Sequence, residues 1–148
     1  MRVTWMQITR RYRFAASHRL HSPAFTDQEN RELYGKCSNL YGHGHDYVLD
    51  VTAAGPIDPA TGHVVHVPTL DRLVAEQVLR DFDHRYLNAD LGEFQRAIPT
   101  SENIIRVIED RLEARWREAF PGEWPRLEGI RLRETKRNVF ELRPGLKA

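Results

Sequence analysis

The sequence predicts an α+β domain in which an antiparallel sheet carries two helices on one face. Apolar and polar residues alternate near both ends of the chain, which indicates half-buried strands. In the middle of the chain, apolar residues recur at helical spacing. The resulting order, β-β-α-α-β-β, is typical of helices packed on one face of an antiparallel sheet. With 148 residues, 41% of them hydrophobic, residues 1–148 are expected to form one domain.

Two strands are predicted in the first third of the chain. The first covers Gln7–Leu20, and the second covers His43–Ala54, where every second residue after His45 is apolar. The polar stretch Ser22–Tyr34 between them is expected to be a loop over the entrance of a site. Proline and glycine in Gly55–Gly62 cannot continue a strand and predict the turn of a hairpin. A short returning strand or an extended link is then expected at His63–Val67.

Two helices follow. The first is predicted at Leu70–Phe82, with Thr69 as its N-cap. The second begins after Thr100 or Ser101, either of which can cap it, and Pro121-Gly122 ends it. Its apolar stripe consists of Ile104, Ile105, Ile108, Leu112 and Trp116.

The last two strands are predicted at Leu127–Glu134 and Val139–Leu142, with a tight turn between them. Arg143–Ala148 is expected to fray. Glu134 continues the apolar face of its strand, although it could instead form a surface ion pair with a neighbouring arginine. Such a sheet leaves two edges and one wide face to be covered, so self-association is expected.

Composition argues against several classes of function. The net charge is +1, from 22 Lys and Arg against 21 Asp and Glu, so nucleic-acid binding is not expected. No stretch approaches the ~18 consecutive apolar residues of a membrane span, and the N-terminus lacks the apolar segment of a signal peptide. A soluble, cytoplasmic protein is therefore expected. Cys37, the single cysteine, cannot form an internal disulfide and is either a buried filler or a reactive thiol.

The strongest candidate for a site is Cys37–Tyr47, which contains the cysteine and a His-Gly-His triplet. His43 and His45 share one face of the predicted strand, so their ring nitrogens can converge on one ion. His18, on the apolar face of the first strand, is the best candidate for a third ligand. Three histidines with no fourth protein ligand leave one position open, as in a catalytic zinc site. The alternative is that these are hydrogen-bonded core histidines.

Several motifs occur in a fixed order along the chain. They are Ala16–Leu20, Gly35–Cys37, the spacing Cys-x5-His-Gly-His, Ile57–Gly62, Asp83-His84, Thr100–Asn103 and Glu134-Thr135. With these motifs, about Arg11 to Leu142 resembles the 6-pyruvoyltetrahydropterin synthase and 6-carboxytetrahydropterin synthase family. On spacing alone, Asp83-His84 would only cap the end of a helix.

The resemblance implies the tunnelling fold (T-fold) and a homohexamer of two stacked trimers, whose sheets close into a barrel with sites at subunit interfaces. It implies 7,8-dihydroneopterin triphosphate as the substrate. It assigns His18, His43 and His45 as the Zn²⁺ ligands, and Cys37, Asp83 and His84 as the thiol and its proton-transfer partners. It also implies that Glu134 anchors the pterin and that Thr100, Ser101 and Glu102 lie near the pterin ring. The pKa of Cys37 is expected to be lowered by the metal or by an imidazolium.

The spacing of the thiol bears on the product. A thiol five residues before His-Gly-His is similar to the pyruvoyl-forming branch, whereas the carboxy-forming branch often has a three-residue gap. The expected product is 6-pyruvoyltetrahydropterin, of a tetrahydrobiopterin-type pathway, made by a carbon-oxygen lyase acting on phosphates. The alternative is a carbon-carbon lyase, the 6-carboxytetrahydropterin synthase of the queuosine and 7-deazapurine pathway.

A function of another class is a non-enzymatic, zinc-stabilised oligomerisation module. Such a module needs a closed coordination sphere, in which Cys37 would be the fourth ligand.

Overall fold

The structure is a computed structural model, and it describes residues 4–143. Its five strands form one sheet, in the spatial order β3-β1-β2-β4-β5. The strands are Trp5–His18 (β1), His43–Pro56 (β2), Arg85–Tyr86 (β3), Arg126–Arg133 (β4) and Val139–Leu142 (β5). The four longer strands pair antiparallel, and β3 adds a short parallel pairing to β1. The predicted α+β class is confirmed.

The helical segments follow one another between these strands. They are Asp27–Tyr34 (α1), Val67–Val74 (α2), Arg80–Phe82 (α3), Leu87–Asp90 (α4) and Ser101–Ala119 (α5). A π-helical segment, Ala75–Leu79, joins α2 to α3, and 3₁₀ turns lie at Gly35–Ser38 and Gly92–Gln95. The buried core lies between α2, α5 and one face of the sheet. Its fully buried members include Leu49, Val51, Leu70, Ile104, Ile108 and Leu132.

The predicted strands are confirmed with small changes at their ends. β1 starts two residues before the predicted Gln7 and ends at His18, so this histidine is the last residue of the strand. β2 starts at His43, as predicted, and continues to Pro56. Its register places His43 opposite His18 and His45 opposite Ala16. All three candidate histidines therefore lie at the same end of the β1–β2 pair.

The prediction of a loop at Ser22–Tyr34 is wrong for its second half, which is the helix α1. Thr26 caps this helix by accepting from the Glu29 N–H, while the Glu29 side chain accepts from the Thr26 N–H. This reciprocal pair satisfies two N–H groups that a helix start otherwise leaves unbonded. The side chain of Asn30 is buried, and its Oδ1 accepts from the backbone N–H of Ser22. These bonds order a segment whose polarity suggested a loop.

The predicted N-cap Thr69 is also wrong. α2 begins at Val67, after His66, and Pro68 occupies its first turn, where a missing N–H costs nothing. The Thr69 hydroxyl lies 2.7 Å from Nδ1 of His66 instead. Residues 63–66 form no returning strand, and the chain bends at Val64 and Val65.

The second predicted helix is confirmed as α5. Thr100 is its N-cap, with the side chain accepting from the N–H of Asn103, and the predicted apolar stripe is buried. β3 and α4 were not predicted, because elements of two and four residues are too short to produce a periodic pattern. Of the tail expected to fray, all but Arg143 lies outside the described residues.

No helix of residues 4–143 is long and apolar enough to cross a membrane.

Candidate active site

The candidate active site lies where the ends of β1 and β2 meet the N-terminus of α5. Five separate parts of the chain contribute side chains. β1 and β2 carry the histidines, the 3₁₀ turn Gly35–Ser38 carries Cys37, and the residue after β4 is Glu134. The start of α5 carries Ser101. Segments far apart in sequence are thus brought together by the sheet register and by the packing of α5.

His18 is fully buried, and its two ring nitrogens have different surroundings. Nδ1 lies 2.8 Å from the carbonyl oxygen of Pro99, so this nitrogen carries the hydrogen and donates it. Nε2 has no hydrogen-bond partner among the described residues. Burial lowers the pKa of His18, and His45 lowers it further, so the ring is neutral. A neutral imidazole held by a carbonyl at one nitrogen, with a lone pair at the other, is suited to bind a metal ion.

Cys37 and His45 complete a group that could hold a metal ion. The ligand atoms of His18, Cys37 and His45 all lie within 4.8 Å of one another. Sγ of Cys37 lies 3.7 Å from Nε2 of His45. His43 is not part of this group, but its ring centroid lies 4.8 Å from that of His45. His43 and Cys37 are therefore competing candidates for the third metal ligand.

Gly42 shows why the residue before the histidines has no side chain. Its φ angle is +82°, a conformation that glycine adopts easily. A Cβ atom at this position would lie 2.9 Å from the backbone oxygen of His18. The close approach of Gly42 to the end of β1 therefore helps to hold His18 and His43 side by side.

The protein's own groups do not lower the pKa of Cys37. Burial raises the pKa of this thiol, and the negative charge of Glu134 raises it further. Burial lowers the pKa of His45, which disfavours an imidazolium beside the sulfur. Within one chain, the described residues therefore offer no group that lowers the pKa of this thiol, and the expected lowering by a metal or an imidazolium stays a prediction.

The turn that carries Cys37 is fixed to the end of β1. The N–H of Leu20 donates to the carbonyl oxygen of Cys37 at 2.6 Å. Nε of Arg19 donates to the carbonyl oxygen of Ser38 at 3.2 Å. The backbone N–H of Arg19 donates to Oδ1 of Asn88, and the backbone carbonyl oxygen of Arg19 accepts from Nδ2 of the same side chain. The thiol is therefore presented from an ordered turn.

Glu134 faces the site. Its Oε2 accepts a short hydrogen bond from the hydroxyl of Ser101, and its Oε1 lies 3.7 Å from Nε2 of His45. Its predicted alternative, an ion pair with a neighbouring arginine, is not formed among the described residues. The Thr100 side chain caps α5 beside this carboxylate, whereas Glu102 is exposed and makes no hydrogen bond to the other described site residues.

Asp83 and His84 make no hydrogen bond to the thiol of their own chain among the described residues. Oδ1 of Asp83 accepts from the N–H of Ala15 at 2.9 Å and lies 3.1 Å from Nδ1 of His84. The N–H of His84 donates to the carbonyl oxygen of Ala15 at 2.6 Å, and the φ angle of His84 is 60°. This side chain is 81% exposed. The pair therefore lies at the outer edge of β1 and faces solvent.

Two features of the site were missed in the sequence. The carbonyl of Pro99 orients His18 through a contact between residues 81 apart, which no local pattern indicates. Tyr47 is 1% exposed, and its hydroxyl has no hydrogen-bond partner among the described residues. Tyr47 lies on the same strand face as His43 and His45. The alternation of positions 43, 45 and 47 along β2 could therefore have indicated Tyr47 as a site residue.

A family model, a relative and a solved structure that resemble this chain all carry the name of one kind of enzyme. Residues 7–145 match the family model described as 6-pyruvoyl tetrahydropterin synthase. The 6-pyruvoyl tetrahydrobiopterin synthase of Poecilia reticulata is 40% identical over 136 residues, covering 92% of this chain and 88% of the relative. The solved structure of the Caenorhabditis elegans 6-pyruvoyl tetrahydropterin synthase superposes with a TM-score of 0.84 at 34% identity. The superposition covers 97% of this chain and 98% of the other.

A carboxy-forming relative matches over a shorter stretch. The 6-carboxy-5,6,7,8-tetrahydropterin synthase of Bacillus subtilis is 33% identical over 87 residues. The match covers 57% of this chain and 56% of that relative.

Proposed function

The chain belongs to the 6-pyruvoyl tetrahydropterin synthase family, and on that premise we propose that it is a zinc-dependent pterin synthase. It acts on 7,8-dihydroneopterin triphosphate, releases triphosphate and forms 6-pyruvoyltetrahydropterin. One observation carries the proposal: a neutral histidine with a free lone pair, a thiol and a half-buried carboxylate converge in one site. The longer match to pyruvoyl-forming relatives favours this product over 6-carboxytetrahydropterin.

The proposed zinc ligands are His18, His43 and His45. The unpartnered Nε2 of His18 fits this role because a buried nitrogen lone pair without a partner is otherwise costly. His43 is chosen over Cys37 because a sphere of three histidines keeps one position open and leaves the thiol free. When bound, the metal would supply Lewis-acid chemistry that makes a neighbouring carbon-bound hydrogen more acidic.

In the proposed reaction, Cys37 moves the proton. Because burial and Glu134 raise its pKa, the thiol holds its own proton until a cation binds beside it. The thiolate then takes a proton from the substrate's side chain, as a general base. Glu134 accepts hydrogen bonds from the N–H groups of the pterin, with Ser101 fixing one carboxylate oxygen. Thr100 and Glu102 flank this position at the start of α5.

Asp83 and His84 are proposed to serve the site of a neighbouring copy. Their position at the outer edge of β1, with an exposed imidazole, supports this assignment. β3 pairs with β1 only at Ala16 and Ser17, so the earlier part of this edge, before Ala15, has no strand partner among the described residues and can pair with another chain. Pairing between such edges in a homohexamer of two trimers would bring His84 of one copy toward the thiol of the next, where the pair would return protons.

One observation favours a second function. Because Cys37 lies in the same metal-capable group as His18 and His45, the thiol could be a zinc ligand in a structural module without activity. The two proposals differ in the fate of the sulfur. An enzyme needs the thiol free, whereas a structural zinc site consumes it.

Release of inorganic triphosphate from 7,8-dihydroneopterin triphosphate tests the proposed function. The zinc-loaded wild-type protein should release triphosphate in many turnovers, and a chelated sample should release it only after zinc is restored. The His63→Ala variant is a matched control, since this exposed histidine lies outside the site. Zinc-loaded protein that releases no triphosphate would contradict the enzyme and favour the structural module.

A further inference from the structure

Tyr47 carries a buried hydroxyl that the proposed reaction does not yet use. The residue is 1% exposed, and its oxygen has no hydrogen-bond partner among the described residues. Leaving a buried hydroxyl unbonded costs about 1–3 kcal/mol, so folded proteins rarely retain one without a reason. The ring alone does not explain the residue, because phenylalanine would fill the same volume without this cost.

The ring of Tyr47 is held in place by its neighbours. Phe14 stacks against it with ring centroids 5.0 Å apart and planes 16° from parallel. His45 meets it edge-on at 5.7 Å. The hydroxyl therefore has a fixed direction, set by packing.

Tyr47 lies next to the candidate active site. Tyr47 follows His43 and His45 on the same face of β2, which is the face that carries the candidate metal ligands. Burial raises the pKa of the Tyr47 hydroxyl, and the negative charges of Glu134 and Cys37 raise it further, since both groups lie near it. Oε2 of Glu134 is already bonded to Ser101, and no described group accepts from Tyr47.

We propose that Tyr47 is a ligand-binding residue, whose hydroxyl donates a hydrogen bond to an acceptor oxygen or nitrogen of a bound pterin. This proposal rests on the proposed function. A pterin presents N–H donors on one edge and acceptor atoms elsewhere, so the acceptor Glu134 and the donor Tyr47 are complementary to different parts of one ligand. The hydroxyl gains its partner only when the ligand binds. A ligand without an acceptor at this position leaves the hydroxyl unbonded and therefore binds more weakly.

The Tyr47→Phe variant tests the proposal, with Tyr12→Phe as a matched control. Tyr12 is also a strand tyrosine, but its hydroxyl donates to Asp71 at 2.7 Å. Neopterin, the oxidised and dephosphorylated counterpart of the proposed substrate, serves as a non-reacting probe. Calorimetric titration gives its Kd, and thermal unfolding of the ligand-free protein and zinc content are measured in parallel.

The two variants should give opposite results. Tyr47→Phe should weaken neopterin binding by about three- to tenfold, the loss of one neutral hydrogen bond, while zinc content is retained. It should leave the Tm of the ligand-free protein unchanged or raise it, because a buried unbonded hydroxyl is removed. Tyr12→Phe should lower the Tm and leave the Kd unchanged.

Two results would overturn the inference, and they are distinguishable. If Tyr47→Phe lowers the Tm as Tyr12→Phe does and binds neopterin as the wild type does, the hydroxyl has only a structural role. If the wild-type protein itself does not bind neopterin, the pterin proposal fails together with the role of Tyr47.

Discussion

Ser101, the first residue of α5, donates its hydroxyl hydrogen to the carboxylate of Glu134, the residue that follows β4. The bond joins residues 33 apart and fixes one oxygen of a side chain that is 16% exposed. The other oxygen faces His45. A carboxylate oriented in this way is prepared to accept hydrogen bonds from a ligand, because its rotamer is set before the ligand arrives.

Glu134→Gln should weaken pterin binding without removing zinc. The amide replaces one acceptor with a donor, so a charged hydrogen bond worth about 1.5–3 kcal/mol is lost. We expect neopterin to bind roughly tenfold to hundredfold more weakly by calorimetric titration. Glu128→Gln, the same charge change at an exposed position of β4 to which no role in the site is assigned, is the control. Equal losses in both variants would mean that Glu134 acts only through its charge and does not bind the ligand.

His43→Ala should remove most of the zinc, whereas Cys37→Ala should retain it. This follows if the three histidines are the ligands and the thiol is free. Zinc content after exhaustive dialysis, measured by elemental analysis, distinguishes the two variants. The reverse result, with zinc lost from Cys37→Ala and kept in His43→Ala, would identify the group of His18, Cys37 and His45 as the binding site.

Cys37→Ala should keep the fold and the affinity for neopterin but lose turnover. Removal of a general base typically costs about 10²–10⁴-fold in rate. Single-turnover kinetics with 7,8-dihydroneopterin triphosphate measure this loss directly. Turnover within a few-fold of the wild type would show that Cys37 is a packing residue and that another group takes the proton.

Much of this site follows from local sequence patterns, and the rest depends on contacts between distant segments. Alternation along β2 predicts that His43 and His45 share a face, and the start of α5 is predicted from Thr100 and Ser101. The reciprocal cap of Thr26 and Glu29 was also present in the sequence and could have predicted α1.

Other features could not be predicted, because they arise only in the folded chain. The bond from His18 to Pro99 depends on how α5 packs on the sheet. The pKa of Cys37 depends on burial and on Glu134, which is distant in sequence. The position of Asp83 and His84 depends on a contact between Asp83 and the edge of β1.

The stability of the protein should depend on pH through Asp50. Nε and Nη2 of Arg11 donate to its two oxygens at 2.8 and 3.0 Å, and this pair holds the pKa of Asp50 below its ordinary value of 3.8. A carboxyl whose pKa is lowered in the folded state stabilises the fold above its unfolded-state pKa. The contribution is lost as the pH falls below 3.8 and through the folded-state value.

The Asp50→Asn variant isolates this contribution. Its Tm should lie below that of the wild type at neutral pH, and the difference should shrink as the pH falls below 3.8. Arg11→Gln removes the same pair from the other side and should converge on the wild type in the same range. A difference in Tm that does not change between neutral and acidic pH would rule out this ion pair as the cause.

Mass identification of the product from 7,8-dihydroneopterin triphosphate tests the proposed reaction most directly. Zinc-loaded protein should convert this substrate to 6-pyruvoyltetrahydropterin with one equivalent of triphosphate and no acetaldehyde. Formation of 6-carboxytetrahydropterin with release of acetaldehyde would contradict the pyruvoyl assignment, and recovery of unchanged substrate would contradict the proposed enzyme altogether.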